Sequence, residues 1–252
     1  MPTYREDFII ETISLYKKQL TLIREFKLSK NNEEISHQHI VPFSTYSPWL
    51  DDNEFIEIYN KIKNNTIVDI YRCFELWNFI KRNKHLKGDI IEVGVWRGGT
   101  GCVMAKSAQL FSPCKTYLAD TFKGVVKAGE KDTIYKGGEH SDTSIAIVTE
   151  LLKELDIPNT ELLVGIFPNQ VSIPESKTGS LIKLCHIDVD TYESAKEIFV
   201  NIWPNITKGG AVIFDDYGFW GYEGITTLCN EISVNDGVFI HNLNGHGIFI
   251  KS

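Results

Sequence analysis

The chain has 252 residues, 42% hydrophobic and 12% aromatic, with a formal net charge of −7. This length fits one large domain or a domain with an appendage, and the acidic balance argues against general affinity for nucleic acid or anionic membrane. Five cysteines (Cys73, Cys102, Cys114, Cys185, Cys229) form no CxxC pair, and an odd set with three members in apolar runs reads as reduced core thiols of a cytoplasmic protein.

At the N-terminus, acids come early and no signal-peptide core is present, so no export is expected. No stretch approaches the roughly 20 apolar residues of a membrane span. Phe8, Ile9, Ile13, Tyr16 and Leu20 recur at helical spacing, and residues 1 to about 85 read as helical. A polar break at 31–50 with Pro42 and Pro48 interrupts them. Further helices are expected at about 52–64 and 68–81, the latter carrying Cys73, Phe74, Trp77 and Ile80. From Gly88 strand and helix signals alternate. Strands are expected at 90–94, 115–120 and 161–166, and in two runs ending at Asp188 and Asp215. Helices are expected at 98–111, 143–155, 192–202 and 223–233, with Gly209-Gly210 as a turn before the strand ending at Asp215. Residues 121–142 hold no period and read as a long functional loop. Val238–His241 and Gly247–Ile250 read as a closing antiparallel hairpin. Such alternation predicts an α/β fold, a doubly wound parallel sheet. The hairpin adds an antiparallel edge and favours the Rossmann-like sheet of class I methyltransferases over a fully parallel dinucleotide fold.

Two of these strands end in carboxylates: Asp188 with Asp190, and Asp215 with Asp216. Ligands in open α/β sheets bind beyond such strand ends. Carboxylates that converge repel unless protonated or shared by a cation, and hard oxygen ligands favour Mg²⁺ or Ca²⁺ over zinc. A divalent-metal site in an α/β enzyme is the expectation. Asp190 either points to the same side as Asp188 or, the favoured reading, turns away to cap the helix at Tyr192.

The first strand turns into its helix through Glu92-Val93-Gly94-Val95-Trp96-Arg97-Gly98-Gly99-Thr100. The string matches neither GxGxxG nor GxxxxGK[ST]. A carboxylate beside a pyrophosphate would be repelled, so Glu92 favours S-adenosylmethionine, which has no phosphate and carries a cationic sulfonium and an ammonium. Asp120, at the end of the next strand, is placed to accept from both ribose hydroxyls. Phe167 is placed either against the adenine or in the core. The expected donor-binding set is Glu92, Gly94, Val95, Trp96, Gly98, Thr100, Asp120, Thr121, Phe122, Gly165, Phe167 and Asp188.

The blocks GDIIEVGVWRGG, LADTFKG, GIFPNQV, HIDVDTYES and GGAVIFDDYG, in that order, resemble the macrocin O-methyltransferase family from about Thr66 to the C-terminus. The resemblance implies a class I methyltransferase domain over 66–252, S-adenosylmethionine as donor, and Mg²⁺ bound by Asp188, Asp215 and Asp216. It makes Asp188 the general base as well, and residues 1–65 a helical lid that covers the acceptor. The implied reaction is methylation of a hydroxyl on a sugar-containing small molecule: nucleotide-linked, glycan or natural-product glycoside. Neither nucleic acid nor membrane is an expected partner, and a homodimer or higher homo-oligomer is expected. Two other readings stand beside it: an O-methyltransferase of a phenol or catechol, and a nucleotide-sugar-binding module without catalysis. His186 reads as a satisfied core histidine and His246 as a residue near the hairpin, while His140 has no assigned role. Trp96, Trp220 and Tyr222 read either as stacking faces at the cleft or as core and rim. Lys123, Lys127, Lys131 and Lys136 read as solvated, or as contacts to a phosphate of a nucleotide-linked sugar.

Overall fold

The computed structural model describes residues 46–174 and 181–252, together with residues 11, 14, 15, 18, 19, 27, 28, 37 and 38. It divides into two compact units, Met1–Pro48 and Trp49–Ser252. In the first, the backbone is helical at 11, 14, 15, 18 and 19. Strands β1 (Lys27–Leu28) and β2 (His37–Gln38) pair antiparallel, Lys27 opposite Gln38. The expected helical residues Phe8, Ile9, Ile13, Tyr16 and Leu20 lie outside the described set. The strand pair corrects the helical reading at Lys27–Leu28, while His37–Gln38 falls in the expected polar break at 31–50.

In the second unit, α1 (Asn53–Ile62) is capped by Asp52, whose Oδ1 accepts from Phe55 N at 3.2 Å. Asp52 Oδ2 also accepts from Trp77 Nε1 at 3.1 Å and Lys81 Nζ at 2.8 Å, both on α2 (Ile70–Arg82). One carboxylate thus starts one helix and fastens it to the next. Phe55, Ile58 and Ile62 bury their side chains in one cluster with Cys73, Trp77, Cys102 and Val103. The compact unit therefore begins before the expected boundary at 65/66. The apolar stripe of α1 belongs to the core and does not form part of a separate lid. Phe55 is fully buried, and its ring lies 4.9 Å from that of Phe74. Phe55→Ala should cost about 3–5 kcal/mol in denaturant unfolding. A loss below about 1 kcal/mol would show that α1 is only loosely attached.

From Gly88 onward the expected elements form. The seven-stranded sheet comprises β3 (Asp89–Val93), β4 (Thr116–Asp120), β5 (Thr160–Val164), β6 (Ile182–Ile187), β7 (Ile206–Phe214), β8 (Gly237–His241) and β9 (Gly247–Lys251). Their spatial order is β5-β4-β3-β6-β7-β9-β8. The first five are parallel. β9 runs antiparallel to both β7 and β8. The hairpin thus differs in detail from expectation: its antiparallel strand lies inside the sheet, and β8, parallel to β7, forms the edge. Gly209 and Gly210 are also not a turn before β7 but lie within it. There Gly209 adopts φ 79° and the β6–β7 register slips between Ile182 and Leu184, an irregularity that glycine's freedom permits.

Around the sheet run α3 (Gly99–Phe111), α4 (Ile145–Glu154), α5 (Tyr192–Ile202) and α6 (Glu223–Glu231). The order of strand addition reverses between β3 and β6, so their carboxyl ends form the switch point at which open α/β sheets bind ligands. Among the described residues, no helix is long and apolar enough to cross a membrane.

Candidate active site

A cavity of about 220 Å³ opens at this switch point. Gly94, with φ 91°, closes it from below: a Cβ there would stand 1.6 Å from the carbonyl oxygen of Asp188. Glycine alone lets the ends of β3 and β6 approach this closely. Asp120 ties two turns together. Its Oδ2 accepts from Val95 N at 2.7 Å and Trp96 N at 2.9 Å, and its Oδ1 accepts from Phe122 N at 2.7 Å. Gly94, Val95, Trp96 and Thr100 line one side of the cavity, continued by Asp120 and Thr121 and then by Gly165 and Phe167. Asp188, Asp215 and Asp216 stand on the same wall.

Three expected donor-binding residues are not on this wall. Glu92 is fully buried within β3, its Oε1 2.9 Å from His186 Nδ1. Burial raises its carboxyl above the usual range, opposed by His186. Glu92 is therefore a partner of a core histidine, and the argument that an acidic turn faces a sulfonium does not hold. Gly98 takes φ 89° before α3 and faces the Val148 methyls on α4, 3.1 Å from where its Cβ would lie. Phe122 packs against the Trp77 cluster. Strand alternation explains Glu92: Val93 is the last strand residue, and Glu92 projects to the opposite side of the sheet from it.

Ligand oxygens of Asp188, Asp215 and Asp216 lie within 4.8 Å of one another. A fourth residue joins them that the sequence reading missed. Arg72, on α2 and almost fully buried, donates from Nη1 to Asp215 Oδ2 at 2.5 Å and to Asp216 Oδ1 at 2.8 Å. Its Nε donates to Asp69 Oδ2 at 3.0 Å, which fixes the guanidinium from behind. Burial opposes the charge on Arg72, but Asp215 and Asp216 outweigh it and keep it protonated. Burial also opposes the charge on Asp215, yet Arg72, His186 and His246 hold its carboxyl below the usual range. Burial, then Asp215 and Asp216, raise Asp188 well above that range, and burial and Asp215 do the same for Asp216. Asp188, Asp215 and Asp216 form an oxygen-only donor set whose ionised form carries more negative charge than one guanidinium neutralises. It fits a hard divalent ion such as Mg²⁺. The one clue in the sequence was an arginine on the buried face of an amphipathic helix, three residues after its Asp69 cap.

Asp190 lines the cavity and does not cap α5. Asp132, from the 121–142 loop, takes that role, accepting from Tyr192 N at 2.9 Å. Burial raises Asp190 to about 6, against the pull of His140 and Tyr135. His140 also lines the cavity, with Nε2 3.3 Å from Tyr135 Oη, which donates to Tyr222 Oη at 2.9 Å. Trp96 and Tyr222 stand on the wall, whereas Trp220 does not and is half exposed. Lys127 reaches the cavity but pairs with Glu197, and Lys131 pairs with Glu231 at 2.9 Å. Seven described non-glycine residues have positive φ, and five of them (Trp96, Lys127, His140, Asp190, Asp216) line this cavity. Backbone strain of about 1–3 kcal/mol each, concentrated in one place, marks a functional site.

A family model described as macrocin-O-methyltransferase matches residues 65–237. The demethyldecarbamoylnovobiocin O-methyltransferase of Streptomyces niveus is 31% identical over 145 residues, 53% of this chain and 54% of that protein. The 8-demethyl-8-(2,3-dimethoxy-alpha-L-rhamnosyl)-tetracenomycin-C 4'-O-methyltransferase of Streptomyces olivaceus is 29% identical over 170 residues, 60% of this chain and 63% of that protein. The matches thus span between half and two thirds of these relatives' length. Among solved structures, the O-methyltransferase NovP shares the fold with a TM-score of 0.63 at 21% identity, over 75% of this chain and 82% of its own. A calicheamicin methyltransferase gives 0.61 at 17% identity, over 87% and 99%.

Proposed function

The chain belongs to the macrocin O-methyltransferase family, and from that membership we propose that it transfers a methyl group from S-adenosylmethionine to a hydroxyl of a sugar-containing small molecule. The observation that carries this reading is that one cavity holds both halves of the reaction. The glycine turn and Asp120 line it, and so do the carboxylates of Asp188, Asp215 and Asp216. Relatives named for methylating novobiocin, tetracenomycin and mycinamicin precursors support a natural-product glycoside as acceptor.

The sulfonium supplies an electrophilic methyl group. In the displacement an O–CH₃ bond forms, the S–CH₃ bond breaks, and S-adenosylhomocysteine leaves. Asp188, on the cavity wall, takes the hydroxyl proton as general base. Asp188, Asp215 and Asp216 would hold Mg²⁺, which when bound orients the hydroxyl and lowers its pKa. Asp120 still has acceptor capacity on Oδ1 for a ribose hydroxyl, because only Phe122 N occupies that oxygen. Ser194 and Tyr222 place further hydroxyls on the wall for a polar acceptor.

The test is a labelled-methyl assay against nucleotide-linked sugars, glycosides and catechols, with Mg²⁺ and with chelator. Transfer to sugars that stops in chelator is expected, and transfer only to catechols would overturn the acceptor class. For the donor, Asp120→Ala should weaken S-adenosylhomocysteine binding by about 1.5–3 kcal/mol, as read by calorimetry. Unchanged affinity would remove Asp120 from the donor site.

A further inference from the structure

Beside Asp215 stand two histidines that methyl transfer does not use. His186, near the end of β6, and His246, just before β9, are both fully buried. Their Nε2 atoms lie 3.8 Å and 3.0 Å from Asp215 Oδ1. The three ligand atoms sit within 4.8 Å of one another. All three are sealed from solvent, and among the described residues none has a hydrogen-bond partner.

A buried polar atom without a hydrogen bond costs about 1–3 kcal/mol. Three such atoms that converge therefore call for a common partner. At 3.0 Å His246 Nε2 and Asp215 Oδ1 lie close together, yet neither atom has a hydrogen-bond partner among the described residues. Ligands of a single ion show this relation, since each lone pair points at the ion and not at its neighbour. With bonds of roughly 2.0–2.1 Å, tetrahedral ligands stand about 3.3 Å apart, between the two separations seen here.

The opposite ring nitrogens are already committed. His186 Nδ1 lies 2.9 Å from Glu92 Oε1, and His246 Nδ1 bonds Glu75 Oε2. Asn242 Nδ2 donates to the same Glu75 oxygen at 2.6 Å, holding that carboxylate in place. A carboxylate on Nδ1 orients the ring and leaves Nε2 as the metal-binding nitrogen, the usual outer support of a metal-bound histidine.

We propose that His186 Nε2, His246 Nε2 and Asp215 Oδ1 bind a first-row divalent ion of the Zn²⁺ class, distinct from the Mg²⁺ assigned to Asp188, Asp215 and Asp216. Two imidazoles and one carboxylate select a borderline metal over Mg²⁺. Asp215 bridges the two positions, with Oδ1 toward the histidines and Oδ2 toward Arg72 and the trio. The ion lies behind the cavity wall, where neither histidine is exposed. It acts by fixing Asp215 and offsetting carboxylate charge, whatever the cavity methylates.

Co²⁺ serves as the probe. Full-length protein stripped with chelator and dialysed is titrated with Co²⁺ and its visible absorption followed. The expected result is one equivalent of the intense bands of four- or five-coordinate, nitrogen-ligated Co²⁺. Zn²⁺ should erase them and excess Mg²⁺ should not. His246→Ala should abolish them, Glu75→Gln should weaken Co²⁺ binding about 10–100-fold, and Asp188→Asn should leave the bands in place. If the wild type shows only the faint spectrum of octahedral, oxygen-ligated Co²⁺, the site does not exist, whether or not His246→Ala folds. Persistence of the intense bands in folded His246→Ala would equally refute it.

Discussion

Asp188→Asn should lower methyl transfer by about 10²–10⁴-fold, the usual cost of losing a general base, and further if the metal is lost with it. The substitution keeps the side chain's size and one ligand oxygen but removes the charge and the proton acceptor. Donor binding should survive, because Asp120 and the Gly94 turn are untouched and Asp188's contact with that turn is through its backbone. Raising the pH should recover part of the rate if only the base is missing, since more of the acceptor ionises unaided. A rate flat across pH would assign the loss to metal binding. Near-normal turnover at neutral pH would move the base to Asp190, whose carboxyl on the same wall is raised to about 6.

Arg72→Ala should be the most destabilising single change at the site. It leaves Asp215 and Asp216 buried without their guanidinium. Breaking such a pair from one side costs about 3–5 kcal/mol, a fall in melting temperature of roughly 10 °C for a domain of this size. The sign of the pH dependence follows from the trio. A carboxyl whose folded pKa is raised stabilises the fold below its unfolded pKa and loses that contribution as pH rises through the folded value. Asp188 and Asp216 are of this kind, and without Arg72 Asp215 moves toward them. The deficit should therefore be smaller at pH 5 than at pH 8. Mg²⁺ should restore stability at pH 8 by binding the folded state alone, and should raise the variant's melting temperature more than the wild type's, where Arg72 competes for the same oxygens. A variant that melts like the wild type, or that ignores Mg²⁺, would dismiss both the ion pair and the trio as a cation site.

Elements whose signal is local were legible in the sequence. Each parallel strand is a short apolar run, and each carboxylate at a strand end is adjacent to it in the chain, so Asp120, Asp188, Asp215 and Asp216 could be placed from spacing alone. The N-terminal segment was not legible in the same way. Its helical spacing did not reveal the β1–β2 pair, because Leu28 pairs with His37 and Lys27 with Gln38, well beyond the reach of a helical period. Glu92 shows a subtler failure: its position in the motif was right and its direction wrong, since the partner that claims it, His186, comes 94 residues later.

From Gly88 onward the sequence by itself determined the order of elements and the acids at the strand ends, because hydrophobic periodicity and glycine turns act over a few residues. Only the tertiary structure decided which charges meet. Arg72 reaches Asp215 across 143 positions, and Glu75 reaches His246 across 171. A buried ion is tolerated only where another element supplies its counter-charge. That match is a property of packing, so no stretch of sequence shorter than the whole domain carries it.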